Sequence, residues 1–356
     1  SKELPLGFVD RKEKELLIRD FVISNIKEVM VKYGFQYLET PSFEYTDSIG
    51  KFLPDKERPE EGVFSFKDQN NWLSLRYDLT APLARYVAKN YMEIPKPFKR
   101  YQLGTVWRNE KPGPGRYREF LQFDADCVGT NNLQSDAELC ILISEILEKC
   151  GLEKRDYTVL ISSRKLINRL LEKLNIVSKD QIFKTIRSLD KLDKLKWGEV
   201  KKLLGKGRKD KSGDFTKGAN LKSEQIELIE KEFTQKNTDL KDVLKIIKIF
   251  MDYNFSNYSF APYVLRGLEY YTGPIFEVKL NFEVKNSKGK IIQFGSIGGG
   301  GRYDNLVSRF GNFDCPATGI SIGIDRLVYA LMQKKDFKIK ATRPVVICVF
   351  NNENIK

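Results

Sequence analysis

Residues 101–126 read YQLGTVWRNEKPGPGRYREFLQFDAD. Apolar residues stand on either side of RNEKPGPGRYREF, which sets three arginines and two glutamates around a Pro/Gly-rich turn. Proline presets the backbone for a turn and glycine removes its steric limits, so the stretch reads as a hairpin. Outward from it, strand-like runs recur at VFSFKD, WLSLRYDLT and FKRYQLGTVWR. The helical patterns between them, APLARYVAKNY and SDAELCILISEILEKC, are too few for regular βαβ alternation. An antiparallel sheet with helices packed on it, an α+β fold, fits the order better.

Upstream, residues 11 to 33 read as an amphipathic helix, with Val22, Ile26, Val29, Met30 and Tyr33 at helical spacing and Gly34 stopping it. Pro41, in FQYLETPSFEY, favours an edge or a bend over a central strand. From 155 to 255 the chain is lysine-rich and helical in pattern, as an inserted helical domain would be. Leu166, Ile167, Leu170, Leu171 and Leu174 mark one helix there, and Val243, Leu244 and Ile247 another. Strand-like text returns at APYVLRGLEYYTGPIFEVKLNFEV and IIQFGSIGGGGRYDNLV. ATGISIGIDRLVYALM then reads as a strand running into a helix. After a basic linker, PVVICVF reads as the first strand of a further domain, and the end at Lys356 leaves that domain incomplete.

At 356 residues, two or three compact units are expected. No run of 18 uncharged apolar residues occurs and the N-terminus lacks a signal peptide's apolar centre, so a cytoplasmic location and no membrane partner are expected. A formal charge of +13 suits a polyanion such as nucleic acid. The five cysteines form no CxxC pair and read as reduced, mostly buried thiols. Histidine is absent, which removes Ser-His-Asp and Cys-His catalysis, HExxH zinc sites and any imidazole base. Chemistry must run on Arg, Lys, carboxylates, Tyr or an oxygen-held metal.

GSIGGGGRYDN (295–305) lacks the GK[ST] of a P-loop. It is either a glycine-rich turn or a strand against whose bare backbone a small substrate lies. Residues 201–218 hold seven Lys/Arg against two Asp, a solvated loop or a contact for a phosphate backbone. Arg108, Arg116 and Arg118 on the hairpin could be solvated, yet a guanidinium fork also suits bidentate phosphate binding. Arg266 in VLRGLEYY and Arg326 in SIGIDRLVYAL stand in apolar settings. Together these arginines point to nucleotide phosphate chemistry by charge stabilisation.

LRYDLTAPLARY, YQLGTVWRNEKPGPGRYREFLQFDAD, LRGLEYYTG, GGGGRYDNLV and GISIGIDRLV, in this order, resemble histidyl-tRNA synthetase, a class II aminoacyl-tRNA synthetase. LRGLEYYTG and GGGGRYDNLV look like its two histidine-specific signatures. The resemblance covers nearly the whole chain. It implies a class II antiparallel sheet flanked by helices, with a catalytic core over 1–154 and 256–335, a helical insertion over 155–255, and the start of an α/β anticodon-binding domain over 343–356. It implies a homodimer built through the N-terminal helix and the strand around Pro41. L-histidine, ATP with Mg2+, and tRNA-His would be the substrates and partners.

By motif position, Arg108 would hold the α-phosphate of ATP and the substrate carboxylate region, and Glu110 the adenine end. Arg116 and Arg326 would bind the outer phosphates. Arg266 would be the catalytic arginine at the α-phosphoryl group. Asp78, Thr80, Gln122, Asp126 and Tyr271 would surround histidine, two carboxylates meeting its ammonium and ring. The missing histidine is then no obstacle, because the substrate's carboxylate is already ionised at pH 7 and needs no base. Two departures stand out. Many bacterial members have Glu where this chain has Asp78, and RNEKPGPGR differs from the commoner motif 2 loop. A histidine-sensing regulatory subunit of ATP phosphoribosyltransferase, or a tRNA-sensing module, would share this core, but neither needs the full arginine set.

Overall fold

The computed structural model describes residues 2–50, 62–209, 213–235, 238–265, 271–311 and 313–339. The 101–126 stretch forms the hairpin its turn dictates. Strand β2 (Phe98–Trp107) and strand β3 (Glu119–Val128) pair antiparallel, from Phe98 opposite Val128 to Trp107 opposite Glu119. The other strands of the sheet are β1 (Gln36–Tyr37), β4 (Tyr157–Ser163), β5 (Tyr258–Phe260), β6 (Pro274–Leu280), β7 (Ser296–Arg302) and β8 (Ala317–Gly323). Their order is β1-β2-β3-β8-β7-β6-β4-β5. Six central strands are antiparallel, and only the two edge pairs are parallel, so the fold is α+β, not doubly wound.

Strand side chains alternate between faces, and the two faces of this sheet differ in character. Tyr101, Leu103, Phe123, Ala125, Phe276, Val278, Ile320 and Ile322 belong to the main core. They pack with buried residues of α1 (Glu13–Lys32), α3 (Leu133–Lys149) and α9 (Ile324–Gln333). The other face carries the polar residues described below. Helix α2 (Thr80–Lys89) packs in a separate cluster with Tyr303, Leu306 and Cys315. The glycine-rich run is the seven-residue strand β7, not a turn.

The segment expected to be a helical insertion begins with β4, which is a strand of the large sheet. Its helices follow: α4 (Arg164–Lys173), α5 (Lys179–Leu189), α6 (Trp197–Leu204), α7 (Ser223–Phe233) and α8 (Lys241–Asp252). Leu166, Ile167, Leu170 and Leu171 are buried as their spacing predicts. In α8, Val243, Ile246 and Phe250 face the core whereas Leu244 is exposed. Strands Phe43–Tyr45, Ser65–Asp68 and Asn71–Leu75 make a second, three-stranded sheet. Cys127, Cys140, Cys150 and Cys315 are free and buried. Arg266, Cys348 and the 343–356 segment lie outside the described residues.

Candidate active site

Register on the polar face brings the site together. Arg100 stands opposite Asp126, and Asp126 opposite Gly319; Asp124 stands opposite Ser321, and Gln122 opposite Gly323. Arg100 is fully buried, its guanidinium 2.9 Å from Asp126 Oδ2 and donating to the Leu79 carbonyl at 2.9 Å. Asp126 also accepts from the Tyr303 hydroxyl of the GGGGRYDN motif. Gly319 makes this possible: a Cβ there would sit 2.0 Å from Asp126 Oδ1.

Asp78 is buried, and one of its oxygens accepts from the Ala81 amide at 3.0 Å, in the first turn of α2. Burial pushes its carboxyl above the ordinary range. Thr80 donates to Asp124 Oδ2 at 3.2 Å. Gln122 donates to Asp124 Oδ1 at 2.7 Å and accepts from Arg108 Nη2 at 3.2 Å. Arg108 donates as well to the Tyr77 carbonyl at 2.9 Å, and its guanidinium lies 5.2 Å from the Phe120 ring centre. Tyr271 is buried with Leu160, Ala261, Val264 and Ile275. A Cβ on Gly301, which pairs with Gly319, would meet its ring at 3.0 Å.

A cavity of about 360 Å³ opens beside this row. Arg108, Glu110, Arg116, Gln122 and Arg326 all line it. Asp78, Thr80, Asp126 and Tyr271 are not in its wall; Thr80 reaches the lining residue Gln122 through Asp124, Asp78 follows Tyr77, whose carbonyl holds Arg108, and Tyr271 packs with Val264. Arg326 stands in the first turn of α9. Its guanidinium donates to the Ser296 carbonyl at 3.0 Å and to that of Phe294, whose ring centre is 4.4 Å away. Burial and then the positive charge of Arg116 push Arg326 down to about 10. Two guanidinium groups that repel each other in one cavity fit a polyanion.

The hairpin loop is pinned at its root and its tip. Arg108 and Arg118 exchange a backbone bond of 2.8 Å, and Gly113 and Arg116 exchange two. Gly115, at φ +63°, takes the left-handed conformation beside the Phe294 ring, where a Cβ would approach to 3.0 Å. Asp325, next to Arg326, accepts from Arg11 at 2.8 Å and from the Leu121 amide, which ties α9 to the hairpin strand.

Several participants escaped the sequence reading. Arg100 and Tyr303 were legible only as residues near motifs. Asp124 carried a local signal, since Gln122, Asp124 and Asp126 alternate along an apolar strand and must share a face. Asp190, Asp193 and Lys194 also line the cavity, although they come from the helical segment. The Gln293 side chain donates to the Asp193 carbonyl at 2.8 Å and holds that turn in place. Nothing local announces this approach. Among the described residues no group of three or more acidic or cysteine side chains is placed to hold a metal ion.

A family model described as histidyl-tRNA synthetase matches residues 7–327. Histidine–tRNA ligase of Bartonella quintana (strain Toulouse) is 47% identical over 377 residues, covering 98% of this chain and 76% of that protein. The enzyme of Rhizobium meliloti (strain 1021) is 46% identical, covering 98% and 75%. Among solved structures, histidyl-tRNA synthetase from Nostoc sp. PCC 7120 superposes with a TM-score of 0.74 at 25% identity, covering 93% of this chain and 75% of that one. A Bacillus halodurans protein, described as an ATP phosphoribosyltransferase regulatory subunit/histidyl-tRNA synthetase, gives 0.71 at 24%, covering 92% and 83%, which speaks to the fold alone.

Proposed function

The chain belongs to the histidyl-tRNA synthetase family, and on that premise we propose how its site works. It is a histidine–tRNA ligase, using ATP to activate L-histidine and then transferring it to tRNA-His. The observation that carries our reading of the site is the joining of two surfaces. A cavity lined by Arg108, Arg116 and Arg326 abuts a buried row of carboxylates on the same sheet face.

Histidine enters the carboxylate row, where Asp78, Thr80, Gln122, Asp126 and Tyr271 surround it. A buried hydrogen-bonding pocket rejects analogues that leave its groups unpaired far better than an apolar pocket does. The substrate carboxylate then faces Arg108, whose orientation is fixed by Tyr77 and Gln122. One carboxylate oxygen bonds to the α-phosphorus of ATP as the bond from that phosphorus to the bridging oxygen breaks, and pyrophosphate leaves. Arg116 and Arg326 hold the outer phosphates, and Glu110 lies at the adenine end. Arg266, placed by the LRGLEYYTG resemblance, stabilises the charge that develops at the α-phosphoryl group. The terminal hydroxyl of the tRNA next attacks the activated carbonyl and expels AMP. Mg2+ would accompany the ATP phosphates that Arg116 and Arg326 hold.

The exposed aromatics Phe43, Tyr45, Phe66 and Trp72 of the small sheet support a homodimer closed by a second copy. Sedimentation of Trp72→Lys as an unchanged dimer would remove that face from the interface. We assign the 201–218 segment to the tRNA backbone. Lys201, Lys202 and Arg208 already engage Glu230 and Glu199 there, so the assignment rests on the remaining cations. A tRNA-binding salt slope unaltered by replacing those lysines would return the segment to a solvated loop. No helix among the described residues is long and apolar enough to cross a membrane, and we place the enzyme in the cytoplasm, which fractionation would check.

Histidine-dependent ATP–pyrophosphate exchange tests the whole reading. Exchange with histidine and no other amino acid is expected. Intact histidine binding without exchange would instead fit the sensing subunit.

A further inference from the structure

The polar row contains one more acid than the histidine-site assignment uses. Asp124 is 2% exposed, and its two oxygens accept from neutral donors, Gln122 at 2.7 Å and Thr80 at 3.2 Å. The nearby cations are engaged elsewhere. Arg100 is paired with Asp126 and the Leu79 carbonyl, and Arg76 donates to the carbonyls of Thr105 and Thr40 at 2.8 and 2.6 Å. A buried carboxylate without an opposite charge is costly, and nothing in the packing of β3 demands an acid there. Gln and Thr donors would be equally satisfied by a neutral acceptor.

We propose that Asp124 is the third acid of the histidine pocket, a positioning residue that orients Gln122 and Thr80 and supplies the negative charge that the substrate ammonium completes. The inference rests on the site reading given above. The geometry supports it in two ways. First, the Gln122 amide has its orientation fixed from both ends: its nitrogen donates to Asp124 and its oxygen accepts from Arg108. Asp124 thus decides which end of the amide the substrate meets. Second, Asp78, Asp124 and Asp126 are buried close together, and the buried cations near them, Arg100 and Arg76, are bonded to Asp126 and to backbone carbonyls rather than to Asp124. The substrate ammonium would give Asp124 the direct cationic partner it lacks.

The ionisation of Asp124 follows from its surroundings. Burial, then the neighbouring charge of Asp126, pushes its carboxyl up to about 7, against the lowering influence of Arg100 and the Gln122 bond. Asp78 raises it further, Arg76 lies within its field, and Tyr303, which donates to Asp126, also feels its charge. Near neutral pH the empty site therefore holds a proton on Asp124 part of the time. Arrival of the ammonium favours the carboxylate, and that proton passes to solvent.

The test is Asp124→Asn, which keeps the shape and one acceptor but removes the charge. The KM for histidine should rise at least tenfold, while kcat and the KM for ATP change less than threefold. Calorimetric titration with L-histidine at pH 7, in buffers of different ionisation enthalpy, should show the wild type releasing more protons per histidine bound than the variant. The difference between the two proteins reads the carboxyl that the variant lacks together with its neighbour Asp126, whose charge acts on it. If Asp124→Asn does not fold, Asp124→Ser carries the same test, since it too removes the charge and should raise the histidine KM alone. A folded Asp124→Asn with unchanged histidine KM and proton release overturns the proposal. So does a parallel rise in both KM values, which marks a merely structural role. Gln122→Ala separates the two readings: a normal histidine KM there sinks the site assignment itself, whereas a response at Gln122 and none at Asp124 sinks this inference alone.

Discussion

The proposed amino-acid end of the site is built on strands, and the proposed nucleotide end on loops and a helix start. Arg100, Gln122, Asp124 and Asp126 project from two paired strands, and register fixes their spacing. Glu110, Arg116, Asp193 and Lys194 reach the cavity from a hairpin loop and a turn between helices. Strands hold buried charges in hydrogen-bond register, which serves the recognition of a small ligand. Loops present solvated cations that suit a flexible polyphosphate, where charge matters more than angle. The two ends should therefore break differently under mutation.

The strand end should fail first in stability. Arg100→Met removes the cation that pairs with Asp126 and strands two buried acids. Losing one partner of such a pair costs about 3–5 kcal/mol. Equilibrium denaturation should show that loss, and a variant within about 1 kcal/mol of wild type would mean that the acids are neutral in the folded state. At the loop end, Arg116→Ala should leave stability within about 0.5 kcal/mol, as surface changes do, yet reduce exchange roughly hundredfold through lost phosphate contact. Equal losses in stability and activity would erase the contrast.

Gly319→Ala is an intermediate case on the strand side. Its Cβ collides with Asp126 Oδ1, so the carboxylate must move, and the histidine KM should rise about tenfold with the ATP KM unchanged. The smallest effect is expected for Lys194→Ala. This side chain is more than half exposed and 3.9 Å from Asp193, so its removal should raise the ATP KM only about two- to fivefold. No change at all would leave the helical segment as a passive wall.

The sequence made much of the sheet legible because strand and turn signals are local. The Pro/Gly hairpin between β2 and β3, the long helix ending before Gly34, and the strand-to-helix step at Arg326 lie where spacing places them. The helical segment was harder, since an apolar run alone does not tell a core-facing Val243 from an exposed Leu244 on neighbouring positions of one helix. The site was legible as a set of motifs rather than as an arrangement. Asp78 was marked for the substrate, yet one of its oxygens serves the first turn of α2.

The sequence by itself determined which chemistry was open: no imidazole, a hairpin with flanking arginines, acids alternating in an otherwise apolar stretch, and a glycine-rich run without side-chain bulk. The tertiary structure alone decided who meets whom. Tyr303 reaches Asp126 across 177 positions of chain, and Gly319 lies opposite it. The reason is physical: alternation along a strand is set within a few residues, but register across a sheet is set by burial of the whole opposite face. The same packing carries Asp193 and Lys194 to the arginine-lined cavity, an encounter that no local pattern encodes.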